Sequence, residues 1–250
     1  GVAAAGDNGC VRVAAGEYRE QLELNGSTHV VGVCAARVTI RGSGSAGSSM
    51  GTTVLVSGVG VQAHLRGLTV SGTGRGIEVR RGARLTAAKV VVANNVQGGI
   101  LIRDAATVVD LADCVVRDTA PVSESAPGSG LQVQESGTLR AQRLAVVRNA
   151  GAGIAMNGAG SRAEVSASVV RDTLQVGTTP NGGGILVQGG ATLSATEVVV
   201  SDNVGVGIGA LSTNTQASVA NAVVRATRPL RTGTQGYGAT AGAGAALRIT

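Results

Sequence analysis

Short apolar triplets, each with one variable residue between two apolar ones, recur along the chain at a regular interval. They begin at Ile77, Ile100, Leu131, Ile154, Ile185 and Ile208, with a further triplet at Leu247. Between the first six, a shorter and a longer step alternate, and each kind of step keeps the same length. Alternating apolar positions are typical of a strand with one buried face, and a regular period of this kind is typical of stacked repeats. The pattern therefore predicts one such strand in every repeat.

A second pattern marks the end of each repeat, where an apolar pair and one variable residue precede Asn or Asp. These residues are Asn94, Asp118, Asn149, Asp172 and Asp202. One residue earlier stand the arginines Arg117, Arg148, Arg171 and Arg225. Because Asn and Asp stabilise turns, we predict a structural column of them at one corner of the stack, beside an exposed column of arginines.

Extra residues occur in every second repeat, always between the Asn or Asp position and the next strand. They lie within Thr119–Gly130, Thr173–Gly184 and Thr227–Gly244. Insertions are tolerated where loops leave a rigid stack, so we expect these three loops to leave one corner, two coils apart, and to form a ridge. Loops of this kind often carry binding groups, which makes the ridge a candidate binding surface; loop growth without function is the alternative.

The repeats predict an all-β fold, a parallel β-helix solenoid of about nine to ten coils with roughly 22–24 residues each. A leucine-rich-repeat horseshoe is not favoured because its Leu-rich consensus is absent, and a β-sandwich does not predict the constant step. We expect a single domain over residues 1–250. The chain begins at Gly1 and stops at Thr250 within a strand-like segment. We therefore expect part of a longer protein, with ends covered by partner subunits or by end-to-end contacts as the alternative. Self-association, end to end or side by side, is compatible with either.

Residues 54–250 resemble the right-handed parallel β-helix, or pectate-lyase-like, superfamily, and the stretch VRVAAGEYREQLELNGSTHVVG at Val11–Gly32 resembles its first coils. The resemblance implies a right-handed solenoid but no single activity, because this fold carries lyases, hydrolases, esterases, adhesins and inert stalks. The segment VRDTL at Val170–Leu174 is similar to the Gln-Asp-Thr-Leu signature of the methylesterases. Arg171 replaces the glutamine, however, and VRDT recurs at 116–119, so we assign Asp172 no catalytic role.

Composition narrows the classes of partner. The chain has 40 glycines and 43% hydrophobic residues, which favours a folded protein. It has no Trp, no Phe and two Tyr, which argues against an aromatic stacking platform for nucleic acid or for sugar. No apolar run is long enough to predict a transmembrane segment. The net charge of +6 comes almost wholly from arginine, and it fits either an anionic partner or a general preference for arginine.

The cysteines and histidines suggest little chemistry. Cys10 and Cys34 are 24 residues apart, about one coil, which allows a disulfide and, with it, an oxidising compartment; two free thiols are the alternative. Cys114 lies among valines and is expected to be a buried free thiol. With His29 and His64 alone and no Cys/His ligand spacing, we expect no metal site and no cofactor.

The remaining candidates favour binding over catalysis. The residues that we expect to bind a glycan or polyanion are Arg117, Arg171, Arg225, Arg228, Arg231 and Tyr237. We therefore expect a non-catalytic, secreted or cell-surface scaffold or binding segment, with a polysaccharide or another surface protein as its partner. The alternative is a polysaccharide-active lyase, hydrolase or esterase, which needs converging carboxylates. Asp118 and Asp172, two coils and roughly 9.6 Å apart, lie near the upper limit for an inverting glycosidase.

Overall fold

The computed structural model describes residues 5–43, 51–177 and 182–250, and every named element in these ranges is a β-strand. The first thirteen strands are β1 Gly9–Val13, β2 Gly16–Tyr18, β3 Leu22–Leu24, β4 Thr28–Gly32, β5 Val38–Gly42, β6 Thr52–Ser57, β7 Gln62–Arg66, β8 Thr69–Gly72, β9 Arg75–Arg80, β10 Arg84–Ala88, β11 Val91–Ala93, β12 Gly98–Ile102 and β13 Val108–Ala112. The other thirteen are β14 Val115–Arg117, β15 Ser129–Gln134, β16 Thr138–Gln142, β17 Ala145–Val147, β18 Ala152–Asn157, β19 Arg162–Arg171, β20 Gly183–Gln188, β21 Thr192–Ser201, β22 Val206–Leu211, β23 Gln216–Ala220, β24 Val223–Arg225, β25 Tyr237–Gly242 and β26 Ala246–Ile249.

Nine of these strands form one parallel sheet, called here the flat sheet. Its order is β3, β6, β9, β12, β15, β18, β20, β22 and β25, so each coil adds one strand. The residues that begin the triplets, from Ile77 to Ile208, pair in register and are at most 1% exposed. The predicted parallel β-helix is therefore confirmed, with a buried strand in each of these six repeats.

One predicted member of this column is wrong. Leu247 pairs with Ala217 in the other sheet, and the residue that continues the column beyond Ile208 is Ala239. Ala239 follows Ile208 by one of the longer steps, so the alternation of shorter and longer steps continues where the apolar signal is lost. The strand was not evident from the sequence because the small Ala239 stands where the other repeats have Ile or Leu.

The remaining seventeen strands form a second parallel sheet, called here the bent sheet, with two strands or half-strands per coil. Between its halves the chain turns at single residues with positive φ, and this tight corner comprises Gly67, Lys89, Asp113, Arg143, Ala167, Glu197 and Asn221. After the second half it turns again at a loop corner, at Asn94, Asp118, Arg148, Asp172, Asp202 and Ala226, also with positive φ. The long strands β19 and β21 run through the tight corner and join both halves.

The core is a continuous cluster of buried Val, Ile, Leu and Ala that runs along the inside of the stack. Glycine opens the flat-sheet strands where the loop corner packs most closely against the next coil. At Gly130, a Cβ atom would lie 2.6 Å from the carbonyl oxygen of Gly153 and 2.9 Å from Nδ2 of Asn149. Part of the high glycine content is therefore explained by this close approach between coils.

Candidate functional site

The loop corner holds most of the residues that the sequence singled out, but in a different alignment. Arg148, and not Asn149, occupies the position equivalent to Asp118, because Arg117 pairs with Val147. The predicted places of Asn149 in the Asn/Asp column and of Arg148 in the arginine column are both wrong by one residue. Asn149 resembles the Asn and Asp residues of this column in its chemistry, and the pattern therefore suggested it. Its distance along the chain from Asp118 is one residue too long for the equivalent position.

Asn149 belongs instead to a ladder, the Asn/Thr ladder, in which Asn and Thr alternate from coil to coil and every member except Thr227 is buried. Its members are Asn95, Thr119, Asn149, Thr173, Asn203 and Thr227. The three asparagines are 0% exposed and lie 54 residues apart. The ladder therefore repeats every two coils, like the insertions.

Hydrogen bonds in this ladder join neighbouring coils. Oδ1 of Asn149 accepts a hydrogen bond from the backbone N–H of Thr119 at 3.2 Å, and Nδ2 donates to the carbonyl oxygen of Val116 at 3.1 Å. Asn203 bonds in the same way to Thr173 and Val170, at 3.2 and 3.0 Å. Because these groups are buried, the ladder satisfies backbone atoms that water cannot reach.

The two carboxylates that the enzyme hypothesis needs are held separately. Asp118 accepts two hydrogen bonds from Arg148, at 2.8 and 3.0 Å, and one from Arg117 at 2.5 Å. Burial acts to raise the pKa of the Asp118 carboxyl, but the hydrogen bonds and charges of Arg148 and Arg117 outweigh it and hold that pKa below its usual value. Asp172 accepts a hydrogen bond from Arg171 at 3.0 Å. Each carboxylate lies at its own turn and is paired with arginine.

Arginines occupy the neighbouring outward column only in every second coil. Arg117, Arg171 and Arg225 alternate there with Ala93, Val147 and Ser201. They are therefore spaced by two coils, roughly 9.6 Å along the stack. The third differs from the others because Ala226, and not an aspartate, follows it. At this end of the column, the exposed Arg225 and Arg228 add positive charge beside Asp202.

The described parts of the insertions contact one another. The backbone N–H of Arg231 donates to Oε1 of Gln175 at 2.7 Å, and Glu124 lies against Gly177, where an added Cβ atom would come within 3.1 Å of its Cβ. Residues 178–181 of the second predicted insertion lie outside the described residues. The three loops are thus linked in series along the loop corner.

The third insertion is shorter than the predicted Thr227–Gly244, because β25 already begins at Tyr237, and it carries the candidates Arg228 and Arg231. Arg228 donates from its guanidinium to the carbonyl oxygen of Asp202 at 2.9 Å, and Leu230 is only 3% exposed, which anchors the loop. Tyr237 begins β25, pairs with Val206 and is 56% exposed. The structure therefore brings Arg225 and Arg228 to the C-terminal part of the ridge, and Tyr237 starts the flat-sheet strand that follows it.

A groove on the outer face of the bent sheet was missed from the sequence. It has a volume of about 470 Å³ and includes Asp110, Arg140 and Glu164 in its lining. Arg140 lies between the two acids, 3.9 Å from a carboxylate oxygen of Asp110 and 3.8 Å from one of Glu164. Arg84 pairs with Asp110 at 2.5 Å. These residues come from four successive coils, and only the register of the strands reveals their alignment.

A second missed cluster surrounds Glu78 on the outer face of the flat sheet. Glu78 is 1% exposed and pairs with Arg75, Arg80 and Arg103 at 3.1, 3.4 and 3.0 Å. The hydroxyl of Thr52 also donates to it, at 3.3 Å. Burial lowers the pKa of the Arg75 guanidinium, and Glu78 opposes this effect. The cluster satisfies one buried carboxylate with three cations and explains why an acid is tolerated there.

Of the two alternatives for Cys10 and Cys34, the structure has free thiols and no disulfide. Cys10, Cys34 and Cys114 are all free thiols, and Cys10 pairs across the strands with His29. Cys34 lies two residues beyond the end of β4 and five residues after His29, the strand partner of Cys10, so a spacing of about one coil does not bring the two thiols together. Cys114 is buried, as expected, and burial raises the pKa of its thiol.

Comparisons with known proteins agree with this architecture. Residues 52–224 match the family model of the right-handed β-helix region, so the chain belongs to the right-handed β-helix family. No curated protein sequence matches it significantly. Among the described residues, no helix has the length and apolar character that a membrane crossing needs.

Solved structures share the fold at low sequence identity. A pectate lyase matches with a TM-score of 0.66 and 13% identity over 89% of this chain, which spans 63% of the length of that lyase. A pectin methylesterase in complex with a hexasaccharide matches with a TM-score of 0.53 and 10% identity, over 79% of this chain and 72% of its own. An alginate lyase from Paenibacillus matches with a TM-score of 0.52 and 11% identity, over 100% and 94% of the two chains. The fold is therefore one that polysaccharide-active enzymes share.

Proposed function

We propose that this chain is a non-catalytic, extracellular or cell-surface β-helix segment that binds a polymeric glycan or another polyanion along its loop corner. The main support for the absence of catalysis in this proposal is that Asp118 and Asp172 are each paired with separate arginines. A carboxylate that is neutralised by two guanidinium groups is a poor general acid or base, because its pKa is held low and its lone pairs are engaged.

The ridge supplies the binding surface in this proposal. Rigid coils hold the three loops in series, so the exposed groups of successive two-coil units lie in one line. Arg225, Arg228 and Arg231 are exposed at one end of this line, where a guanidinium can pair with a carboxylate or sulfate in a bidentate manner. The matching structures include a lyase that acts on pectate and another that acts on alginate, which supports a polymeric ligand as the class to test first.

A catalytic function remains the second candidate because of the groove in the bent sheet. Asp110 and Glu164 stand two strands apart, roughly 9.6 Å, with Arg140 between them. This separation is close to the upper limit for two carboxylates that act on opposite sides of a glycosidic bond. Both acids are paired with arginine, however, and neither is buried in an apolar pocket that would favour its protonated form.

Binding to immobilised acidic and neutral polysaccharides tests the proposal, with the variant Arg225→Ala/Arg228→Ala/Arg231→Ala compared with Asp110→Asn/Glu164→Gln. We expect the arginine variant to bind an acidic polysaccharide at least tenfold more weakly, with a smaller dependence on salt. The groove variant should bind as the unmodified protein does. Loss of binding in the groove variant alone would assign the ligand to the groove and overturn the role of the ridge.

A further inference from the structure

The only two histidines of the chain lie face to face on the outer side of the bent sheet. Strands β4 and β7 pair so that His29 and His64, 35 residues apart, are direct partners. Their ring centroids are 4.2 Å apart and their planes differ by 7°. His29 is exposed and His64 is partly buried, so an ion from solvent can reach both rings. We propose that this pair binds a divalent late transition-metal ion such as Zn²⁺.

Stacked coils suit a site of two imidazoles. Direct partners on adjacent strands are about 4.8 Å apart along the stack. An ion that coordinates two ring nitrogens lies about 2.0–2.1 Å from each. Side-chain rotation alone can therefore turn one nitrogen of each ring toward a shared ion, while the backbone register stays unchanged. Among the described residues, no three His, Cys, Asp or Glu side chains converge on one point, so water completes the coordination shell.

Imidazole coordinates a metal ion in its neutral form, because only that form keeps a free lone pair on the coordinating nitrogen. Arg84, a cation whose charge acts on His64, is itself paired with the carboxylate of Asp110.

Other groups around the pair set limits on the affinity. Cys10 is the strand partner of His29 on its far side and carries an exposed free thiol, a donor that zinc also accepts. Arg12 and Arg66 lie one outward column away, on β1 and β7, and their charges oppose a cation. We therefore expect the imidazoles to dominate binding and Cys10 to contribute less than either of them.

Titration with Zn²⁺, followed by NMR of the imidazole groups, tests this site directly because only two histidines give signals. We expect the signals of both rings to move together and to saturate at one equivalent of Zn²⁺. His29→Gln and His64→Gln should each weaken binding at least tenfold. Cys10→Ser should have a smaller effect, and the matched Cys34→Ser variant should bind as the unmodified protein does.

The proposal is overturned if the two rings respond independently, if two equivalents are needed, or if either single variant keeps the original affinity. Circular dichroism of each variant checks that the coils remain folded. A second measurement uses stability, because an ion held between two coils of the folded state raises the melting temperature. Zn²⁺ should raise it for the unmodified protein and leave it unchanged for the variant that lacks both histidines; an equal rise in both contradicts the site.

Discussion

The loop corner and the tight corner both turn the chain with a residue of positive φ, and both carry an Asp–Arg ion pair between coils, but the loop corner also has the buried Asn/Thr ladder behind its turn. At the loop corner, the buried Asn149 and Asn203 bond across coils to backbone groups. At the tight corner, Asp113 and Arg143 form an exposed ion pair at 2.5 and 3.1 Å. The loop corner carries all three insertions. We infer that the buried ladder keeps the coils aligned there, so that loops can grow outside it.

We expect the largest loss of unfolding free energy from a substitution at the centre of the Asn/Thr ladder. Asn149→Ala removes two buried hydrogen bonds and takes from the N–H of Thr119 the acceptor that Asn149 supplies. One lost buried hydrogen bond together with one unsatisfied buried N–H costs about 3 kcal/mol of unfolding free energy. Chemical denaturation measures the loss. The control is Asn94→Gly, exposed at the same corner and free of strain at positive φ, which should stay near the unmodified value.

The next largest loss of stability is expected where neighbouring coils approach closely beside that ladder. Gly130→Ala places a methyl group 2.6 Å from a backbone oxygen and should cost about 2 kcal/mol through forced shifts of the backbone. Gly238→Ala is the matched control, because in the last coil the added atom meets only Val224, at 3.7 Å. Equal losses in the two variants, measured by thermal unfolding, would show that packing between coils does not restrict this column.

A smaller, pH-dependent loss of stability is expected at Asp118, which lies at the same corner outside the ladder. The pKa of Asp118 is lowered in the folded state, so its contribution is complete above the pKa of the unfolded chain and is lost as pH falls through the folded value. Asp118→Asn should therefore lower the melting temperature at pH 7 and make little difference near pH 2. A deficit that is the same at both pH values would contradict the ion pairs as its source.

The smallest change in melting temperature is expected from a substitution at the tight corner. Asp113→Asn breaks an exposed ion pair while keeping a residue that tolerates positive φ. Exposed pairs of this kind contribute little at physiological salt, so the melting temperature should match that of the unmodified protein. A loss as large as that of Asn149→Ala would remove the distinction between the two corners.

The sequence was sufficient to predict the solenoid, because repeated Ile and Leu triplets reveal a period directly. The sequence pattern was misleading at Asn149. It places Asn149 at the position equivalent to Asp118, but the residue there is Arg148, one position earlier in the chain. A one-residue slip moves a side chain to another face, so outward columns need an exact register. For that reason the groove around Arg140 and the pair formed by His29 and His64 could not be predicted. Their residues share no motif and meet only through stacking.

The central claim, that this β-helix binds without catalysing, is tested most directly by looking for reaction products. The protein is incubated with a panel of acidic and neutral polysaccharides, and small products are identified by mass spectrometry. We expect that no oligosaccharide, methanol or acetate is released from any member of the panel, including those that the protein binds. Release of any of these products, and its loss in the Asp110→Asn/Glu164→Gln variant, would contradict the claim and place a catalytic site in the groove.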